Sequence, residues 1–121
     1  MPLRAPRAWC ALALVDGALY VSGGYGPGGA LLASVERYNL QDGAWEEAGA
    51  MREGRAGHAM AVVPTNRGLK LCCVGGFVGE STGNMTCTAD AIGYDEATGA
   101  WELERDFCLP EPLAGFALCT L

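Results

Sequence analysis

The chain has 121 residues and a formal net charge of −6; half of its residues are hydrophobic and 18% are charged. This length suits one ordinary domain, and the composition excludes an intrinsically disordered chain. The eight Lys and Arg residues are scattered rather than gathered in a basic stripe, so neither nucleic acid nor a membrane surface is expected as a partner. Glycine, at 18 residues, is well above average usage, which suits short strands joined by tight turns.

The first part of the chain predicts a four-stranded meander. Asp16-Gly17 stands between two apolar runs and is a strong signal for a two-residue hairpin. The pair Gly23-Gly24 ends the second run, where backbone freedom or a close approach is needed. The four strands are predicted at Trp9–Val15, Ala18–Ser22, Ser34–Leu40 and around Trp45.

The second part of the chain predicts the same order of elements with two insertions. Residues 64–68 replace the short hairpin, and residues 77–90 lengthen the loop that follows the second strand. The four strands are predicted at Ala59–Val63, Leu69–Val74, Ala91–Asp95 and Trp101–Glu104.

Two sequence marks recur in the same order and indicate an internal repeat. A double glycine follows an apolar strand, and a Tyr is followed seven residues later by a Trp. The repeats divide the chain into residues 1–49, 50–108 and 109–121, the last resembling the start of the first. Because a four-stranded meander buries little alone, we expect the units to stack radially as propeller blades. Two blades cannot close a ring, so we expect a piece of a larger protein or a truncated isoform.

These marks resemble kelch repeats, and the tracts 6–7, 16–24, 34–38 and 45–46 are similar to those of the kelch-like (BTB–kelch) group. The resemblance implies an all-β partial kelch propeller, with two four-stranded antiparallel blades and the first strand of a third. Pro is missing before Arg55, and Leu113 stands where the repeat prefers Arg. The resemblance to this group implies a protein-binding adaptor that holds substrates for a cullin-RING ubiquitin ligase. It also implies that the cullin is bound only through a BTB domain, which is not among these 121 residues.

The resemblance also assigns candidate residues by motif position. Tyr25 and Phe77 follow the double glycines, and Trp9 and Gly57, with His58 beside the latter, stand two residues after the repeat arginine. Partner contact is the prediction for Tyr25, Trp9, Phe77 and His58. The alternative is that Trp9 packs between blades and Phe77 covers its own loop. Turn or packing roles are predicted for Gly23, Gly24, Gly75, Gly76, Tyr38, Trp45, Tyr94 and Trp101.

The residue types expected in an enzyme are scarce. His58 is the single histidine, so a multi-histidine metal site cannot form within the chain. Ser22, Ser34 and Ser81 lack nucleophile-elbow spacing, and a loop or packing residue is a better interpretation of His58 than a catalytic one. No catalytic residue, metal or cofactor is therefore expected. Two alternatives stay open: an actin-binding or scaffold kelch propeller, and a kelch-fold metalloenzyme resembling the copper-radical oxidases, which needs further histidines.

The six cysteines do not form a recognisable disulfide or metal pattern. No Cys-x-x-Cys pair occurs, and adjacent Cys72 and Cys73 point to opposite faces of a predicted strand. Buried free thiols in a reducing compartment are the favoured interpretation, and the cytoplasm is the expected location.

Overall fold

The computed structural model describes residues 7–66, 68–105, 108–112 and 114–115. Within these ranges the chain forms eleven strands and one 3₁₀ turn, so the prediction of an all-β fold is confirmed. No helix among the described residues is long and apolar enough to cross a bilayer. The strands are β1 (Ala11–Val15), β2 (Ala18–Ser22), β3 (Ser34–Asn39), β4 (Ala44–Ala50), β5 (Gly54–Ala56), β6 (Ala59–Thr65), β7 (Gly68–Val74), β8 (Phe77–Ser81), β9 (Asn84–Cys87), β10 (Ala91–Asp95) and β11 (Ala100–Glu104).

Two four-stranded antiparallel sheets form the framework. Blade 1 has the order β1-β2-β3-β4, and blade 2 has the order β6-β7-β10-β11. The register is equivalent in the two sheets: Tyr38 pairs with Trp45 in blade 1, and Tyr94 pairs with Trp101 in blade 2. The repeated sequence marks therefore correspond to repeated structure.

The β6–β7 hairpin is longer than the sequence indicates. Residues 64–68 are predicted as a loop, but β6 continues through Pro64, which pairs with Leu69. Because β6 is the edge strand of blade 2, proline removes no ladder hydrogen bond on its outer side. Edge position explains why the proline does not end the strand.

Residues 77–90 also differ from the predicted loop. They contain the hairpin β8–β9, and β8 pairs in addition with β5 to give a three-stranded side sheet, β5-β8-β9. The hairpin reaches blade 1, where the Leu31 N–H donates to the Glu80 carbonyl at 2.9 Å and Thr82 N–H donates to the Gly29 carbonyl at 2.9 Å. This insertion therefore ties the loop of blade 1 to blade 2.

The two blades pack face to face through a buried apolar layer. Trp101 is 3% exposed, and its indole N–H donates to the Ala48 carbonyl of blade 1 at 2.8 Å. Tyr20 and Tyr94 meet edge to face with ring centroids 6.0 Å apart. Cys73 lies in this layer, whereas Cys72 lies in a second cluster on the other side of blade 2, so the two adjacent thiols do face opposite ways.

Equivalent residues of successive units form a chain of main-chain hydrogen bonds. Gly57 N–H donates to the Trp9 carbonyl at 3.0 Å, and Gly115 N–H donates to the Gly57 carbonyl at 2.7 Å. The predicted first strand of a third unit lies mostly outside the described residues, although Gly115 belongs to it. The hydrogen bond from Gly115 to Gly57 therefore repeats the bond from Gly57 to Trp9.

The double glycines are required by both conformation and space. Gly23 and Gly24 have φ of +61° and +98°, a region that L side chains rarely adopt. A side-chain carbon on Gly24 would lie 2.6 Å from the Ala8 carbonyl oxygen, and one on Gly23 would overlap the Arg55 carbonyl. The close approach lets the Gly24 N–H donate to the Arg55 carbonyl at 2.7 Å, which joins the two units.

Replacing the interface tryptophan should destabilise the protein more than replacing its counterpart. Trp101→Phe removes the indole N–H and leaves the buried Ala48 carbonyl unsatisfied, so the free energy of unfolding should fall by about 1–3 kcal/mol. Trp45→Phe, the same change at the half-buried equivalent position, is the matched control and should cost less. Urea unfolding followed by circular dichroism measures both; an equal or larger loss for Trp45→Phe would show that the blade interface does not hold the fold.

Candidate protein-interaction surface

The connections between the second and third strands of each blade, and the connection between the two blades, lie at one end of the blades. In an antiparallel meander the start of the first and third strands and the end of the second and fourth lie on the same side. We call this end the connection face; it carries residues 7–10, 23–33, 51–58 and 75–90. Three of the four residues predicted from the sequence to contact a partner lie at this face with side chains that are exposed or half-buried, namely Trp9, Tyr25 and Phe77.

Trp9 is the most exposed aromatic side chain of the connection face. Its side chain is 59% exposed, and its φ is +59°, in the left-handed region that is strained for a tryptophan. The equivalent residues Gly57 and Gly115 have φ of +67° and +68°. The backbone at this position is thus left-handed in each unit, and a tryptophan stands where the next two units have glycine.

Tyr25 lies beside Trp9 and is held from both sides. The two ring centroids are 5.7 Å apart, and the Tyr25 main chain forms bridges with Ala8 and Leu31. Its hydroxyl is 3.8 Å from the sulfur of Met85 on the β8–β9 hairpin. Met85 was not predicted, because the hairpin that carries it pairs with residues far away in the sequence.

A cavity of about 220 Å³ opens beside Trp9. Its lining combines equivalent positions from three units with two neighbouring side chains: Trp9, Cys10, Gly57, His58 and Gly115. Glycine at two of these positions leaves the space open, since a side-chain carbon on Gly57 would approach the Trp9 ring to 3.3 Å. The cavity and the exposed indole together form a concave site with an aromatic edge.

His58 lies in the wall of this cavity and is itself buried, at 5% exposure. Its Nε2 is 2.7 Å from the Ser22 hydroxyl, and the Cys73 thiol donates to the same hydroxyl at 3.3 Å. Burial, followed by the positive charge of Arg55, lowers the pKa of His58 to about 3, so the imidazole is neutral. Nδ1 is buried and has no hydrogen-bond partner among the described residues.

The Ser22–His58 pair is placed for packing. Ser22 has no exposed surface, so a substrate has no access to its hydroxyl. Acyl transfer by a serine also needs a group that orients the histidine through its second nitrogen. A buried, mutually hydrogen-bonded pair instead links blade 1 to the start of blade 2.

Phe77 occupies in blade 2 the position that Tyr25 has in blade 1. Phe77 pairs with Ala56, just as Tyr25 bridges Ala8. It also pairs with Cys87 across the side sheet and is half-buried. The structure therefore brings Trp9 and His58 together at the cavity, places Tyr25 against the Trp9 ring, and places Phe77 one blade further along.

The packing residues divide between the two blades. Tyr94 and Trp101 stack at 4.8 Å and are buried between the blades. Tyr38 and Trp45 contact each other at 5.0 Å but are half-buried, because they lie on the outer face of blade 1. The same motif is thus buried or open according to whether a neighbouring blade covers it.

The cysteines of the described residues are free thiols. Burial raises the pKa of Cys72 to about 12 and that of Cys73 to about 11, so neither is a thiolate at neutral pH. The described residues contain no group of three or more His, Cys, Asp or Glu side chains placed to hold a metal ion.

The chain is similar in sequence and in fold to known kelch proteins. The family model of the Kelch motif matches residues 6–52. Kelch-like protein 34 of Homo sapiens is 39% identical over 98 residues, which cover 78% of this chain and 14% of that protein. The solved structure of YjhT, a kelch propeller, matches 98% of this chain with a TM-score of 0.73 at 20% identity.

The chain contains a kelch repeat and has the fold of a kelch propeller fragment. It spans 14% of the length of kelch-like protein 34 and 32% of the YjhT chain. At 20% identity the likeness to YjhT shows the propeller fold alone. The match to residues 6–52 includes Trp9 and Tyr25, so both candidate contacts lie within the recognised kelch repeat.

The burial of the neutral His58 should make the stability of this kelch-repeat chain depend on pH. Below pH 6.5 the unfolded chain takes up a proton on His58 that the folded chain binds only near pH 3. The stability from this group is therefore fully present above pH 6.5 and is lost as the pH falls towards 3, by up to about 1.4 kcal/mol per unit. His58→Gln keeps a hydrogen-bonding group for Ser22 but does not titrate.

Urea unfolding between pH 7 and pH 4 measures this difference. The wild-type free energy of unfolding should fall more steeply with acid than that of His58→Gln. Parallel pH profiles for the two proteins would contradict the buried, neutral state of His58.

Proposed function

We propose that this kelch-repeat chain is a protein-interaction module whose connection face binds a partner protein, with Trp9 and Tyr25 as central contacts. The observation that carries the proposal is the strained and exposed state of Trp9. Left-handed backbone costs a non-glycine residue about 1–2 kcal/mol, and the next two units avoid that cost with glycine. Because Trp9 is 59% exposed, its side chain buries little apolar area to offset this strain, which favours a role in binding.

The surroundings of Trp9 suit an interaction anchor. Tryptophan and tyrosine are the side chains most often found at the centre of protein interfaces. Tyr25 is fixed by main-chain bridges and by the contact with Met85, so little freedom is lost when a partner packs on it. The adjoining 220 Å³ cavity gives a partner side chain a place to enter.

For the whole protein we propose the role that the resemblance implies. Similarity to kelch-like protein 34 supports an adaptor that recognises substrates for a cullin-RING ubiquitin ligase in the cytoplasm. The cullin contact would then be made by a BTB domain, and the connection face would hold the substrate. Binding rather than catalysis is also favoured by the burial of Ser22 and the low pKa of His58.

Trp9→Gly is the substitution that separates binding from folding. Relief of the left-handed strain and the added flexibility of glycine oppose each other, so the free energy of unfolding should change by less than about 1 kcal/mol. Partner capture by the full-length protein should nevertheless fall at least tenfold, and Tyr25→Ala should have the same effect. Affinity capture from cell extract with quantitative mass spectrometry measures the loss.

Leu69→Ala is the matched control for exposed apolar area. Leu69 is 75% exposed and lies in the β6–β7 hairpin, at the opposite end of the blades. Its loss should leave the captured proteins unchanged. Capture that survives Trp9→Gly together with Tyr25→Ala, or that is lost with Leu69→Ala, would remove these two aromatic residues from the binding site.

A further inference from the structure

Each repeat buries an arginine just before its first long strand, and the two guanidinium groups are seated alike. Arg7 Nη1 donates to the carbonyls of Gly23 at 2.9 Å and Ser34 at 2.8 Å. Arg55 Nη1 donates to the equivalent carbonyls, those of Gly75 at 2.8 Å and Asp90 at 3.4 Å. In both units, one side of the guanidinium therefore donates to equivalent main-chain carbonyls.

The other side of the Arg7 guanidinium is satisfied by a carboxylate. Arg7 Nε and Nη2 donate to the same oxygen of Glu36, at 3.2 Å and 2.9 Å. The two side chains are 1% and 3% exposed, so the ion pair is buried. In blade 1 a buried positive charge is thus matched by a buried negative charge.

Blade 2 lacks this carboxylate. Glu36 pairs with Val21 in β2, and the residue at the same register in blade 2, opposite Cys73, is Ile92. Arg55 is 1% exposed, and its Nε has no hydrogen-bond partner among the described residues. A buried charge without an ionic partner is costly, because burial removes its water without replacing it.

A cavity of about 300 Å³ lies at this position. It is lined by two arginines, two acidic residues at the rim and two apolar side chains: Arg52, Glu53, Arg55, Asp90, Ile92 and Leu103. Arg52 and Glu53 follow β4, Asp90 precedes β10 and Leu103 lies near the end of β11, so the cavity opens on the connection face. The cavity borders Ile92, which occupies in blade 2 the position that Glu36 has in blade 1.

We propose that this cavity is a carboxylate-binding site, in which an acidic side chain of the bound partner accepts hydrogen bonds from Arg55 as Glu36 does from Arg7. Arg52, exposed at the rim, adds a second positive charge. Only the source of the carboxylate rests on the proposed function. The affinity of the cavity for a carboxylate belongs to this chain and is tested without any partner.

The rival occupant is a carboxylate of the chain itself. Asp90 and Glu53 are exposed at the rim, and their charges act on Arg55 in the favourable direction. Burial nevertheless outweighs them and lowers the pKa of Arg55 below its ordinary value. If the Asp90 side chain turned inward in solution, it would occupy the cavity and exclude an external carboxylate.

Acetate is the probe, and the arginine Nε–H signals of the full chain are the readout. Titration with sodium acetate, against sodium chloride at equal ionic strength, should give a saturable NMR shift at Arg55. Arg7 is the internal control, since Glu36 already occupies its site, and its signal should not move. Arg55→Lys identifies the Arg55 signal. Ile92→Glu places a carboxylate at the position equivalent to Glu36 and should weaken acetate binding at least tenfold.

The carboxylate site at Arg55 can be contradicted in several ways. An Arg55 signal that does not saturate, or an equal shift at Arg7, would overturn the carboxylate site. Acetate binding seen only after Asp90→Asn would show that Asp90 fills the cavity, which also overturns the proposal. Inorganic phosphate that binds as tightly as acetate would contradict the assignment to carboxylates. Partner capture by the Trp9→Gly variant tests the connection face separately, and its result does not change the acetate binding measured at Arg55.

Discussion

The buried layer between the two blades is the contact on which the rest of the structure depends. The apolar side chains on the face of a four-stranded sheet are stabilised when a neighbouring sheet covers them. Trp101 and Tyr94 of blade 2 close one face of blade 1, and the indole N–H satisfies a carbonyl that this closure would otherwise bury unpaired. With the blades fixed in this way, their connections are brought side by side, and the connection face becomes a continuous surface.

Rigidity at the connection face follows from hydrogen bonds that cross between units. The Gly24 N–H reaches the Arg55 carbonyl, Gly57 donates to Trp9, and the β8–β9 hairpin holds the loop of blade 1 through Leu31. Such cross-links let the chain keep Trp9 in a left-handed conformation, because a strained residue persists only where its surroundings determine it from several sides. The connection face is thus built from segments that are irregular but firmly held.

The local marks of the sequence were enough to predict the blades and not enough to predict the site. Asp16-Gly17 and the double glycines specify turns through their own backbone preferences, so they can be read without knowing what lies nearby. The side sheet could not be predicted, because β8 pairs with residues 54–56 and with the loop of the other blade. The burial of His58 depends in the same way on Ser22, which comes 36 residues earlier.

Equivalent positions of the repeats share one backbone conformation but differ in their side chains. Left-handed backbone is required at residue 57 and at residue 115, and glycine meets that requirement without strain. Trp9 meets it at a cost and gains an exposed ring. Both repeats likewise seat an arginine on the same two carbonyls, yet only blade 1 supplies Glu36 to neutralise it. Ile92 packs in the apolar layer between the blades, so the buried Arg55 guanidinium lacks the carboxylate that Arg7 has, and its Nε is left without a hydrogen-bond partner among the described residues.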